Sequence, residues 1–127
     1  MSRDDATDDQ RPLVAVLCAT PILAEAVTAA LEGMAEVRRF PAGRPDVYGL
    51  LRWLGADAVV VDRASEASEA AAYGIDFDAL VVHILLPEEK LRLLRDGRWE
   101  QPGLVCASAE GIRNVLIGSL FGRGALA

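Results

Sequence analysis

Three side chains could do chemistry, and each stands in or just after an apolar run. Asp62 follows Ala-Val-Val-Val (58–61), Cys18 follows Pro-Leu-Val-Ala-Val-Leu (12–17), and His83 interrupts Ala-Leu-Val-Val-His-Ile-Leu-Leu (79–86). Function in α/β folds gathers at the carboxyl ends of strands, which makes this carboxylate, thiol and imidazole the candidates. A thiol at the tip of a strand can act as a nucleophile on phosphate if backbone N–H groups and an arginine cradle the anion. Cys-Ala-Thr-Pro-Ile-Leu (18–23) has no glycine and no arginine, and Pro21 removes one donor. Cys18 therefore reads as a small buried hydrophobe. A phosphoryl carrier or phosphatase-like enzyme using Cys18 is the alternative. His83 has no His, Cys or acid at ligand spacing, so it reads as a hydrogen-bonded strand residue, not a metal ligand or a base. Asp62, taken alone, would cap the helix that follows it or pair with a residue near Arg63.

The elements that must position these residues alternate. The apolar run 12–18 is of strand length. Thr20 and Pro21 suit the N-cap and first position of a helix over 22–32, which Gly33 ends. A more polar strand is expected at 35–40. The segment 44–55 carries Val47, Leu50, Leu51 and Leu54 at helical spacing before Gly55, and a buried strand follows at 56–62. Next come a short helix at 65–73 and a strand at 78–85. The segment 87–97 has Pro87, two early glutamates, Arg92, Arg95 and a terminal Gly97, which predicts a fourth helix. A fifth strand (102–107) and a fifth helix (108–122) complete the pattern. Five strands alternating with five helices predict a three-layer α/β domain with a parallel sheet covered on both faces.

Composition narrows the partners. The 127 residues fit one domain, with an acidic tail at 1–10 expected to be disordered and a folded domain over 11–127. The net charge is −6, Lys90 is the only lysine and the arginines are scattered among acids, which argues against a nucleic-acid surface or a membrane patch. The start of the chain is too acidic for a signal peptide, and no apolar run is long enough to span a bilayer. Two cysteines without metal-ligand spacing suit a reducing cytoplasm. No glycine pattern matches a nucleotide fingerprint, and no cofactor is expected. Trp53 and Trp99 could line a ligand site, with edge packing as the simpler role.

Three segments carry a resemblance. Val-Ala-Val-Leu-Cys-Ala-Thr-Pro-Ile-Leu-Ala-Glu-Ala-Val-Thr-Ala-Ala-Leu-Glu-Gly (14–33), Leu-Leu-Arg-Trp-Leu-Gly-Ala-Asp-Ala-Val-Val-Val-Asp (50–62) and Ala-Ser-Ala-Glu-Gly-Ile-Arg-Asn-Val-Leu-Ile-Gly-Ser-Leu-Phe-Gly (107–122) fall in the order and spacing of one family. The chain resembles the response-regulator receivers, in the subgroup attached to LuxR/NarL-type helix-turn-helix domains. The resemblance spans most of 12–122 and implies a flavodoxin-like (βα)5 fold with strand order 2-1-3-4-5. It places Asp62 at the phospho-acceptor position. The family's acidic pair falls on Cys18 and Ala19, its lysine on Val105 or Cys106, and its Ser/Thr on His83 or Ile84. Receiver chemistry needs several carboxylates to hold Mg²⁺ and a cation to meet the phosphoryl oxygens. Only Asp62 of that set remains, so the resemblance implies a pseudo-receiver that is not phosphorylated. In that strand order Cys18 and Cys106 stand three spacings apart, ~14 Å at ~4.8 Å each, beyond the ~7 Å reach of a disulfide.

The expected function is regulatory, in transcriptional or two-component-like signalling, through homodimerisation and contact with a partner protein or output domain. The chain is expected to be either a single-domain regulator or a receiver detached from its effector. A small-molecule sensor using the vacated acidic pocket is a further alternative. In the last helix Ile112, Val115, Leu116 and Leu120 form a stripe for the sheet, while Ile117 and Phe121 lie beyond it. Leu93 is displaced in the same way from the Leu91/Leu94 stripe of the fourth helix. Leu93, Ile117 and Phe121, with Arg113 reaching an acid, form the expected dimer interface.

Overall fold

A computed structural model describes residues 12–41, 46–85, 90–95, 97–100, 111, 113 and 114. The apolar runs form the middle of one sheet: β1 (Leu13–Leu17), β3 (Ala58–Val61) and β4 (Leu80–Leu85). They are parallel, with Val16 opposite Val60 and Val60 opposite Val82. Helices cover both faces, which is why these strands are almost continuously apolar. The polar β2 (Glu36–Arg39) lies parallel to β1 at the edge.

Helix α1 (Pro21–Ala30) starts with Thr20 at its N-cap and Pro21 in its first turn. It packs Leu23, Ala24 and Val27 against Val14, Val16, Val60 and Val82. On the opposite face α2 (Val47–Leu54) and α3 (Ala64–Phe77) set Val47, Leu51, Ala67, Ala70 and Tyr73 against Leu17, Val59, Val61 and Val81. The Tyr73 hydroxyl meets the Leu51 and Ala56 carbonyls at 3.1 and 2.9 Å, tying α3 to the turn that enters β3. Gly74 allows α3 to lie close to the sheet. A Cβ there would stand 2.7 Å from a Val81 methyl and 2.9 Å from the Ala79 carbonyl oxygen.

After β4 the chain departs from the expected pattern. The segment expected as a fourth helix is a hairpin, β5 (Lys90–Arg95) and β6 (Arg98–Glu100), and both pairings are antiparallel. Among the described residues the sheet thus has six strands of mixed direction, ordered β2-β1-β3-β4-β5-β6, where a parallel sheet ordered 2-1-3-4-5 is expected. The physical reason lies in the residues. Leu91 and Leu93 alternate with Arg92 and Leu94, a period of two, and Asp96-Gly97 is a favoured two-residue hairpin connection. Gly97 has the positive φ, 79°, that such a turn requires. Arg95 and Arg98 face one another across it, and Arg95 pairs with Glu100 at 2.8 Å.

This overturns the place given to Leu93. It lies on β5 opposite Val82 and Glu100, is only 4 % exposed and belongs to the core under α1, so it cannot line an interface. Arg113 is helical and exposed. Ile117, Phe121, Val105, the expected fifth strand and the acidic tail lie outside the described residues. Among the described residues no helix is long and apolar enough to cross a membrane.

Candidate functional site

Strands β1 and β3 end together at Leu17 and Val61, and Val61 lies opposite His83 two residues before the end of β4, which brings Cys18, Ala19, Asp62 and His83 to one end of the sheet. Asp62 faces the turn between β1 and α1. Its Oδ1 accepts the Ala19 N–H at 2.8 Å and its Oδ2 accepts the Thr20 N–H at 3.1 Å. Thr20 makes no side-chain bond of its own to the helix end, so the neighbouring strand supplies the carboxylate near the N-terminus of α1. A negative charge is favoured there both by the amide donors and by the helix dipole. Asp62 therefore fastens the start of α1, and not α3, the helix that follows it in sequence.

Asp57 does the equivalent at the other end of β3. Its Oδ2 accepts the Leu13 N–H at 2.8 Å while its own N–H reaches the Leu13 carbonyl at 2.8 Å. Two aspartates thus bracket four buried residues and hold β1 at both ends. Asp57 was not singled out from the sequence, although an acid on each side of Ala-Val-Val-Val was a visible signal.

Cys18 packs against the core under α1, with its thiol 4.0 Å from the Val60 carbonyl. Burial first, and then the Asp62 carboxylate, push that thiol up to about 12. A group held protonated so far above neutrality is a poor nucleophile. Cys18 also lines a small pocket of about 310 Å³ with Pro21, Ala24, Arg39 and Phe40.

His83 is 3 % exposed and lies opposite Arg92 in the β4–β5 pairing. The Arg92 Nε–H donates to His83 Nδ1 at 3.1 Å. Arginine can only donate, so Nδ1 presents its lone pair and the imidazole proton is on Nε2. Burial, followed by the Arg92 charge, lowers the His83 pKa, with Asp62 opposing. The ring is therefore neutral at pH 7. The Arg92 guanidinium lies over Trp99, 4.1 Å from the ring centroid, and His83 meets the same indole edge-on at 6.3 Å. Ala64, His83, Leu85, Arg92, Trp99 and Glu100 line a cleft of about 610 Å³.

The structure thus joins Asp62, Cys18 and Ala19 and places His83 beside them, but the largest polar feature near His83 is one that sequence reasoning missed. The sequence puts Arg92 on an expected helix and gives Trp99 edge packing or a ligand-site wall with Trp53, and only the β hairpin makes Arg92 and Trp99 neighbours. Trp53 stands apart from Trp99, 81 % exposed on α2. Among the described residues no group of three or more His, Cys, Asp or Glu could hold a metal ion. Compared with protein-family models, curated proteins and solved structures, the chain matches none.

Proposed function

We propose that the chain is a regulatory domain of receiver-like type that has lost phosphotransfer and works by binding. The observation that carries this reading is the engagement of Asp62, whose two carboxylate oxygens are both taken by main-chain N–H groups of Ala19 and Thr20. A phospho-acceptor must turn an oxygen on the incoming phosphorus, and here that motion would release the turn that starts α1. The residues beside it, Cys18 and Ala19, offer no oxygen side chain for Mg²⁺, whose preferred ligands are carboxylates and water. Without a metal or a lysine, the charge developing on a transferring phosphoryl group has no partner.

The receiver-like part of the reading draws support from the strands that do run parallel. Their order β2-β1-β3-β4 is that of the first four strands of a flavodoxin-like sheet, and the β5–β6 hairpin takes the place of the next helix. In this reading the domain is cytoplasmic and passes its signal by contact, to a partner protein or to a second copy of the chain. Acetyl phosphate with Mg²⁺ followed by intact-mass spectrometry tests the proposal. We expect no phosphoryl adduct. A stable adduct that disappears in Asp62→Asn would overturn it.

A further inference from the structure

The cleft beside β5 holds a cation that has no carboxylate partner among the described residues. Three other arginines of the described surface are paired with acids: Arg95 meets Glu100 at 2.8 Å, Arg38 meets Glu36 at 2.8 Å, and Arg52 lies 3.6 Å from Asp76. Arg92 is fixed by its Nε–H on His83 and by its flat face on Trp99. Neither contact uses its Nη groups, which keep their N–H donors for something else.

His83 provides a second donor. The residue is almost fully buried and lines the cleft, and its Nδ1 is already an acceptor. Its Nε2–H has no protein partner among the described residues, and since no buried side-chain N or O there is left unsatisfied, this donor opens onto the cleft, where an acceptor can reach it. Ala64, the first residue of α3, lines the same space and brings the positive end of that helix to it. The acids nearby are already engaged, Glu100 by Arg95 and Asp62 by the Ala19 and Thr20 amides.

We propose that this cleft binds an oxyanion group, the phosphate or carboxylate of a small molecule. Arg92 is its charge partner and His83 Nε2–H its second donor. A planar guanidinium held on two sides presents parallel Nη donors, the geometry that suits either anion. The cleft, at about 610 Å³, has the size of a small-molecule site. The inference stands apart from the loss of phosphotransfer, because Asp62 takes no part in it. A phosphorylated Asp62 would overturn that reading and leave this one intact.

The chain has two tryptophans, and Trp53 is largely exposed, so Trp53→Phe leaves Trp99 as the sole reporter beside Arg92 at little structural cost. Inorganic phosphate and succinate are titrated separately into this variant, to about 10 mM at fixed ionic strength. A saturable change in Trp99 emission with at least one of them is the expected result. Saturation by phosphate alone assigns a phosphate ligand, by succinate alone a carboxylate, and by both a general oxyanion site. Arg92→Gln is expected to weaken binding by about tenfold or more. Arg38→Gln, the same change in charge at the opposite edge of the sheet, is expected to alter it by less than about twofold. Saturation by neither anion, equal weakening by Arg38→Gln, or full binding by Arg92→Gln overturns the proposal. Should Arg92→Gln unfold, nitrogen-detected NMR of the Trp53→Phe protein decides. The Arg92 Nε and His83 ring resonances must move along the emission curve, and fixed resonances overturn the site.

Discussion

Asp62 and Asp57 each spend a charge on main-chain N–H groups, and the expected consequences are structural. Hydrogen bonds to charged groups contribute about 1.5–3 kcal/mol when buried and less where water competes. Asp62 accepts two of them at a partly exposed position. Asp62→Ala is therefore expected to destabilise the domain by about 1–3 kcal/mol. Asp62→Asn should cost less, since its amide oxygen still accepts one bond, and denaturant unfolding measures both. Cys18 is expected to resist iodoacetamide near neutral pH and to react quickly once urea exposes it, because burial and Asp62 hold the thiol at about 12. Peptide mapping distinguishes it from Cys106, and rapid alkylation of the folded protein at Cys18 would contradict its assignment as inert. His83 makes stability depend on pH in a definite direction. Its folded pKa is lowered below 6.5, so as pH falls the unfolded chain takes up the proton first. Stability is then lost from about pH 6.5 downward to the folded pKa, and is unaffected by this group above that window. Between about pH 7 and 5.5 the melting temperature of the parent should fall more steeply than that of His83→Gln. Equal slopes would show that His83 does not titrate abnormally.

At the scale of elements, the hairpin and the α3–sheet contact are the places where a single substitution discriminates. Leu93→Ala is expected to destabilise the fold by about 2–5 kcal/mol, the usual loss for a leucine removed from a packed core. A side chain on the outer face of a helix would lose almost nothing, so a melting temperature unchanged in Leu93→Ala would contradict the strand. Gly74→Ala sets two effects against each other. Alanine gains up to about 1 kcal/mol in helix propensity. Its Cβ would press on a Val81 methyl at 2.7 Å and on a main-chain oxygen at 2.9 Å, and overpacking of this kind costs about 1–3 kcal/mol. The carbonyl cannot rotate away as a side chain can, so net destabilisation is expected in chemical or thermal unfolding. The same elements show how much the sequence disclosed. β1, β3 and β4 were legible because a strand buried on both faces must be apolar throughout. α1 was legible because Thr20, Pro21 and Gly33 punctuate it. The segment 87–97 was not, because Pro, Glu, Arg and Gly occur in helical order while Leu91 and Leu93 also alternate with Arg92 and Leu94. A strand that puts Leu91 and Leu93 on one face and Arg92 on the other satisfies both patterns, and pairing with β4 on one side and β6 on the other decides between them. Arg92 and Trp99 could not be joined from sequence for the same reason, since their contact exists only across the hairpin.

For the whole molecule, one end of the sheet carries two arrangements of different kinds. On the side of β1, the polar contacts of Asp62 and Cys18 are directed inward, Asp62 to the α1 turn and Cys18 to the core. Beyond β4, Arg92, His83 and Trp99 stand around an open cleft. The proposed reading that joins them is a receiver-like frame with Asp62 occupied and its recognition chemistry moved toward the sheet edge. The most direct measurement is two-dimensional amide NMR of the Ala19 and Thr20 cross-peaks during addition of beryllofluoride with Mg²⁺, a mimic of an aspartyl phosphate. Because Asp62 already holds both N–H groups, these cross-peaks are expected to stay where they are. A saturable shift of both, absent in Asp62→Asn, would show that the carboxylate leaves the turn for a phosphoryl group and would contradict the account.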